Sequence, residues 1–124
     1  MDKLLDTSVV IEVFGGNRKV IEQLYQNNVT YSLPTIVVFE LYSGHLKERE
    51  ELMMEMMSKV EFDEESAKVA GKIFRDMLKK GKRPPIKDLL IASTAIAHNM
   101  ELITCDRGFE RFKEYGLKVK ILEK

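Results

Sequence analysis

The sequence predicts an α/β fold: a three-layer α/β/α sandwich around a mostly parallel, roughly five-stranded sheet, in one domain spanning residues 1–124. Three observations predict it. Short apolar runs recur at residues 3–6, 29–33, 60–62, 101–104 and 117–122. Stretches with apolar residues at helical spacing separate them, and strands alternating with helices mean βαβ units with right-handed crossovers. The length of 124 residues suits a single domain with one core.

The elements follow in order. Lys3 to Asp6 reads as the first strand, and the apolar stretch to Phe14 as a short helix stopped by Gly15-Gly16. Asn17 can cap a second helix carrying Val20, Ile21, Leu24 and Tyr25. A strand over 29–33 runs into Pro34-Thr35, a good helix start, and that helix ends near Gly44. Residues 47–59 are amphipathic, with Leu52, Met53, Met56, Met57 and Val60 expected on one side. After a short strand at 60–62, Asp63 reads as an N-cap and a long helix continues to about Lys80. Pro84-Pro85 keeps the next loop from being helical, and 86–99 is a strongly apolar helix. A strand at 101–104, a short helix at 107–113 and a last strand after Gly116 complete the chain.

Composition excludes several classes. With 44% hydrophobic residues the chain is globular, not disordered. No apolar run reaches the roughly 20 residues that span a bilayer, and no signal peptide is visible, so no membrane role is expected. A lone Cys105 makes neither an internal disulfide nor a zinc signature, and a reducing cytoplasm is the default setting. Twenty basic and 20 acidic residues cancel, which argues against a global positive field for nucleic acid but allows a local patch.

Most acids fall on polar helix faces. Four do not. Asp6 follows an apolar strand, where ligands bind in open parallel sheets. Glu40 lies among Ile36, Val37, Phe39 and Leu41. Asp88 sits at the amino end of the apolar side of its helix, in line with Ala92 and Ala95. Asp106 follows Thr104 at the end of its strand as Asp6 follows Leu4. Each has an ordinary alternative: Asp6, Asp88 and Asp106 as helix caps, Glu40 at the edge of an apolar stripe. Together they fall where a doubly wound sheet converges. Four carboxylates pushed together raise one another's pKa, and a divalent cation relieves the conflict. Oxygen-only donors select Mg²⁺ or Mn²⁺ over zinc or copper. On this reading Thr7 and Ser8 take over capping and leave Asp6 free for metal.

Four segments, Leu5-Asp6-Thr7-Ser8-Val9-Val10-Ile11, Phe39-Glu40-Leu41-Tyr42-Ser43-Gly44, Asp88-Leu89-Leu90-Ile91-Ala92-Ser93-Thr94-Ala95 and Leu102-Ile103-Thr104-Cys105-Asp106-Arg107-Gly108-Phe109, resemble the PIN-domain nucleases. The likeness is to the VapC toxins of prokaryotic toxin–antitoxin pairs, in order and over nearly the whole chain. The resemblance implies a metal-dependent endoribonuclease in which Asp6, Glu40, Asp88 and Asp106 form the acidic quartet. It implies Asp6 and Asp88 as direct ligands of Mg²⁺ or Mn²⁺, with Glu40 and Asp106 completing the site directly or through water. Thr104 would orient the site by hydrogen bonding, with Thr7 or Ser8 doing likewise beside Asp6. It further implies an RNA substrate, a homodimer and a small VapB-like antitoxin covering the acidic groove.

Other features carry less. Lys79, Lys80, Lys82, Arg83 and Lys87 precede or flank Asp88 and are candidate RNA-phosphate contacts, or else a solvated helix end. Met53-Met54-Glu55-Met56-Met57 fits core packing, with an adaptable partner surface as the alternative. His45 and His98 read as structural or exposed, and Cys105 as a small buried residue. The competing readings are a Mg²⁺-binding receiver-like signalling domain and a non-catalytic binding module. A receiver expects an acidic pair after the first strand, where this chain has Asp6 followed by Thr7 and Ser8. A haloacid-dehalogenase-type phosphatase expects a second Asp at position 8, and a dinucleotide-binding domain expects glycines there.

Overall fold

A computed structural model describes residues 1–124. Five strands, β1 (Asp2–Leu5), β2 (Thr30–Pro34), β3 (Lys59–Val60), β4 (Leu102–Thr104) and β5 (Val119–Ile121), form one sheet in the order β3-β2-β1-β4-β5. Every pairing is parallel. The helices are α1 (Thr7–Phe14), α2 (Arg18–Leu24), α3 (Thr35–Ser43), α4 (Glu48–Met56), α5 (Glu64–Lys79) and α6 (Ile86–Ala97). A 3₁₀ helix, Arg107–Tyr115, links β4 to β5.

The central position of β1 organises the rest. Leu4 pairs with Ser32 on one side and Leu102 on the other, and Leu5 pairs with Ile103. Helices cover both faces, so Leu4 is fully buried and Leu5 nearly so. A strand buried on both faces reads as a continuous apolar run, which is what Leu4-Leu5 is. The chain winds outward from β1 to β2 and β3, then returns to place β4 on the opposite side. The strand order therefore switches between β1 and β4, and a crevice opens at their carboxyl ends, the place where open α/β sheets bind ligands.

Beyond β4, Phe109 and Phe112 are fully buried with ring centroids 6.2 Å apart. They anchor the 3₁₀ helix, which Gly116 closes at φ +100°, a conformation that favours glycine. Every predicted element is present, but two details differ. The third strand is two residues at Lys59–Val60, because the Phe62 N–H leaves the ladder and donates to Thr35 Oγ1 at 3.1 Å. Helix α4 turns another face inward. Glu50 Oε1 accepts the Lys47 N–H at 3.0 Å, and Glu50 and Met54, one turn apart, are the buried residues. Leu52, Met53 and Met56 consequently face out, so core packing holds for Met54 and not for the predicted stripe as a whole. No helix is long and apolar enough to cross a membrane.

Candidate metal centre

Asp6 is the first residue beyond β1, and its N–H still donates to Ile103 O at 2.9 Å. The ladder thus carries it to the crevice, where it is 5% exposed. Its Oδ2 accepts three hydrogen bonds: from Ser8 Oγ at 2.7 Å, from Thr104 Oγ1 at 2.7 Å and from the Ser8 N–H at 3.4 Å. Each hydroxyl is committed. Ser8 Oγ also accepts the Cys105 N–H at 3.0 Å, and Thr104 Oγ1 accepts the Asp106 N–H at 3.0 Å. A hydroxyl has one proton to give. With both protons on Asp6, the 3.2 Å contact between Ser8 Oγ and Thr104 Oγ1 is a consequence of convergence and not a third strong bond. The network welds the end of β1 to the end of β4 and leaves Asp6 Oδ1 available.

The expected division of labour is corrected here. Asp6 itself caps α1, through the Ser8 N–H, while Ser8 and Thr7 do not replace it. Capping by Oδ2 and ligation by Oδ1 are compatible because a carboxylate has two oxygens and about four lone-pair sites. Asp106 likewise caps the 3₁₀ helix, Oδ1 accepting the Gly108 N–H at 2.8 Å. Asp88 lies in the first turn of α6, whose cap residue is Pro85 and uses no side-chain bond. It is therefore not committed to the helix end. Glu40, half-buried on α3, accepts the Thr7 hydroxyl at 2.7 Å, so the two residues after Asp6 serve different acids.

The electrostatics show that the four carboxylates share one region. Burial, then the negative charges of Asp6, Asp106 and Glu40, push the Asp88 carboxyl up to about 6, with the Arg111 guanidinium opposing them. Such a shift in a cleft between acids marks a functional-site candidate. The donor set is oxygen only, and it is strongly negative. No three acidic, His or Cys side chains stand close enough together to grip one ion as placed. Asp6, Asp88, Glu40 and the exposed Asp106 are the carboxylates that could hold a cation here, directly or through water.

Arg111 was invisible in sequence, where it is one of several charges in Arg107-Gly108-Phe109-Glu110-Arg111. Only the pinning of Phe109 and Phe112 turns it towards Asp88. The candidate basic run divides. Lys80 is held by Asp76 at 3.0 Å and Glu114 at 2.8 Å, and Lys87 lies 5.8 Å from the centre of the Phe39 ring. His45 is exposed, while His98 ends α6 beside Asp63 at 3.4 Å, at the opposite end of that helix from Asp88. Cys105 is half-buried, and burial pushes its thiol up, so it is a weak nucleophile.

Residues 3–115 match the family model of the PIN domain. Ribonuclease VapC3 of Methanocaldococcus jannaschii is 48% identical over 93 residues, 75% of this chain and 97% of that protein. Ribonuclease VapC1 of the same organism is 35% identical over 121 residues, 94% of this chain and 85% of the other. The crystal structure of DNA-bound VapBC from Salmonella typhimurium matches with a TM-score of 0.81 at 23% identity, covering 98% of each chain. That of VapBC2 from Rickettsia felis, bound to a promoter DNA fragment, matches with a TM-score of 0.80, also at 23% identity, over 99% of this chain and 100% of the other. At that identity the two structures show a common fold.

Proposed function

The chain belongs to the PIN-domain family, and from that premise we propose that it is a Mg²⁺- or Mn²⁺-dependent endoribonuclease, the toxin of a VapBC-type pair. One observation carries the reading. Four carboxylates, from the ends of β1 and β4 and from α3 and α6, gather near the topological switch point, where burial and then the charges of the other three push Asp88 up to about 6. Relatives named as ribonucleases support the substrate class. The receiver-like alternative gains nothing from the geometry, since Thr7 and Ser8 are hydroxyl donors to Glu40 and Asp6 and supply no second acid.

When bound, a divalent cation supplies Lewis acidity at the phosphodiester and a water of lowered pKa. The protein's share is placement. Ser8 and Thr104 hold Asp6 Oδ2 and leave Oδ1 free of those bonds. Asp88 holds the other side, and its repulsion from the other acids is relieved by cation binding. Thr7 restrains Glu40, leaving one carboxylate oxygen to orient a water.

Partners follow from surface chemistry. An apolar cavity of ≈ 300 Å³ between α1, α2 and α4 is lined by Val10, Val13, Phe14, Leu24, Met53 and Met56 among others. Met56 is 87% exposed, and adaptable Met side chains suit the apolar face of a VapB-like antitoxin. Phe39, Tyr42 and Ile86 are exposed elsewhere and offer a second copy an apolar face for a homodimer. The test is incubation of the purified protein with RNA in Mg²⁺ or Mn²⁺. Internal cleavage that EDTA stops is expected, and survival of every RNA in both metals removes the nuclease reading.

A further inference from the structure

A second concavity, lined mainly by cations, shares Arg111 with the surroundings of the acidic crevice. It has a volume of ≈ 370 Å³ and is lined by Met77, Lys82, Arg83, Pro84, Arg111 and Glu114. Its one acid, Glu114, is already bound to Lys80 at 2.8 Å. Lys82, Arg83 and Arg111 take part in none of the ion pairs of the fold. Arg111 acts on Asp88 and Lys82 on Glu114, but none of the three cations closes an ion pair, so their donors remain open to a further anion.

Two contacts organise the cations. Arg83 lies over the Phe74 ring, 5.8 Å from its centre, which holds the planar guanidinium in place. Arg111 is tied to the acidic centre through Gly108. A Cβ at Gly108 would stand 3.0 Å from Asp106 Oδ1 and 3.2 Å from Arg111 Nη2. The absent side chain is what lets the carboxylate and the guanidinium share that corner. The hollow therefore adjoins the acidic centre through Arg111, and its two arginines have the fork geometry that suits phosphate.

We propose that Lys82, Arg83 and Arg111 form a single phosphate subsite that seats an RNA backbone phosphate flanking the scissile one. The inference rests on the nuclease reading and deepens it. It also separates two kinds of cation within the basic run. Lys80 is structural, whereas Lys82 and Arg83 converge with an arginine from far along the chain. Because all three face one hollow, they neutralise one phosphate and not three.

Salt dependence tests this. A labelled single-stranded RNA is titrated against the Asp6→Asn protein, which holds RNA without cutting it, across a salt series in Mg²⁺. Each of Lys82→Gln, Arg83→Gln and Arg111→Gln is expected to weaken binding about 3- to 10-fold. The triple variant is expected to lower the slope of log K against log salt by about 0.7, the loss of one phosphate on a single strand. Lys118→Gln, whose residue bonds Asn99 at the amino edge of the sheet, is the charge-matched control and should change neither quantity beyond nonspecific screening. A loss of about 2.1 in slope means three independent contacts and overturns the single subsite. Unchanged affinity in all three variants, with thermal unfolding confirming a folded protein, overturns it outright. Wild-type cleavage is assayed in parallel. If wild type cuts RNA and the slope is unchanged, the subsite alone fails. If wild type cuts nothing in Mg²⁺ or Mn²⁺, the nuclease reading has failed and the subsite, which rests on it, falls with it.

Discussion

The two ends of strand β1 use the same device for different ends. At the amino end, Asp2 accepts Thr30 Oγ1 at 2.9 Å and Ser32 Oγ at 2.6 Å, tying β1 to β2. At the carboxyl end, Asp6 accepts Ser8 and Thr104, tying β1 to β4. The surroundings differ. Around Asp2 the charges are matched: Lys3 pairs with Glu101 at 2.9 Å, and Lys118 stands nearby in the same hollow. Around Asp6 three further acids gather, with Arg111 as the cation that tempers them at Asp88. A hydroxyl–carboxylate clasp by itself is ordinary architecture. What marks a site is a clasp that holds negative charge where the fold does not balance it, because such charge lowers stability unless a ligand offsets it.

Substitutions at the two ends should therefore separate. Asp6→Asn is expected to have the largest effect, a loss of RNA cleavage well beyond the roughly 100-fold typical of a supporting residue. The fold should survive, since the amide oxygen can still accept both hydroxyls, and an unchanged circular dichroism spectrum would show it. Thr104→Val comes next. It removes a donor to Asp6 and strands the Asp106 N–H, so cleavage should fall about 10- to 100-fold and stability by about 1–3 kcal/mol. Thr104→Ser should restore most of both. At the other end, Ser32→Ala should cost on the order of 1 kcal/mol in urea unfolding and leave cleavage unchanged.

A smaller effect distinguishes the ends by pH. The Asp88 carboxyl is raised in the folded protein to about 6, above its ordinary value near 4. A raised acid favours the fold when protonated. Its contribution is complete below the unfolded value and is lost as pH rises through about 6. Urea midpoints of the metal-free protein should thus decline from this residue between about pH 4 and 6. Asp88→Asn should flatten that decline, and Asp2→Asn should leave it in place. An identical profile for wild type and Asp88→Asn would remove the repulsion on which the comparison depends.

Much of this was legible in the sequence, for physical reasons. Leu4-Leu5 reads as buried because a central parallel strand admits no polar face. The four acids stand out because each sits against apolar neighbours or at a strand end. The unread parts depend on tertiary placement. Nothing in residues 47–59 says that Glu50 will cap Lys47 and rotate Met54 inward. Nothing local says which hydroxyl serves which acid, so Thr7 on Glu40 and Ser8 on Asp6 emerge only from the packing of α1 against α3 and β4. Capping occupies one oxygen of Asp6 and leaves the other, so it does not compete with ligation. Arg111 was hidden because its partners lie on other elements.

On the proposed reading, Asp6 and Asp88 together hold the cation that RNA cleavage requires. The most direct test compares one labelled RNA cut by wild type, Asp6→Asn and Asp88→Asn in Mn²⁺, with Asp2→Asn as the matched control. Cleavage by wild type and Asp2→Asn, abolished by EDTA, is expected, and none by the other two. Full activity in both Asp6→Asn and Asp88→Asn would contradict it.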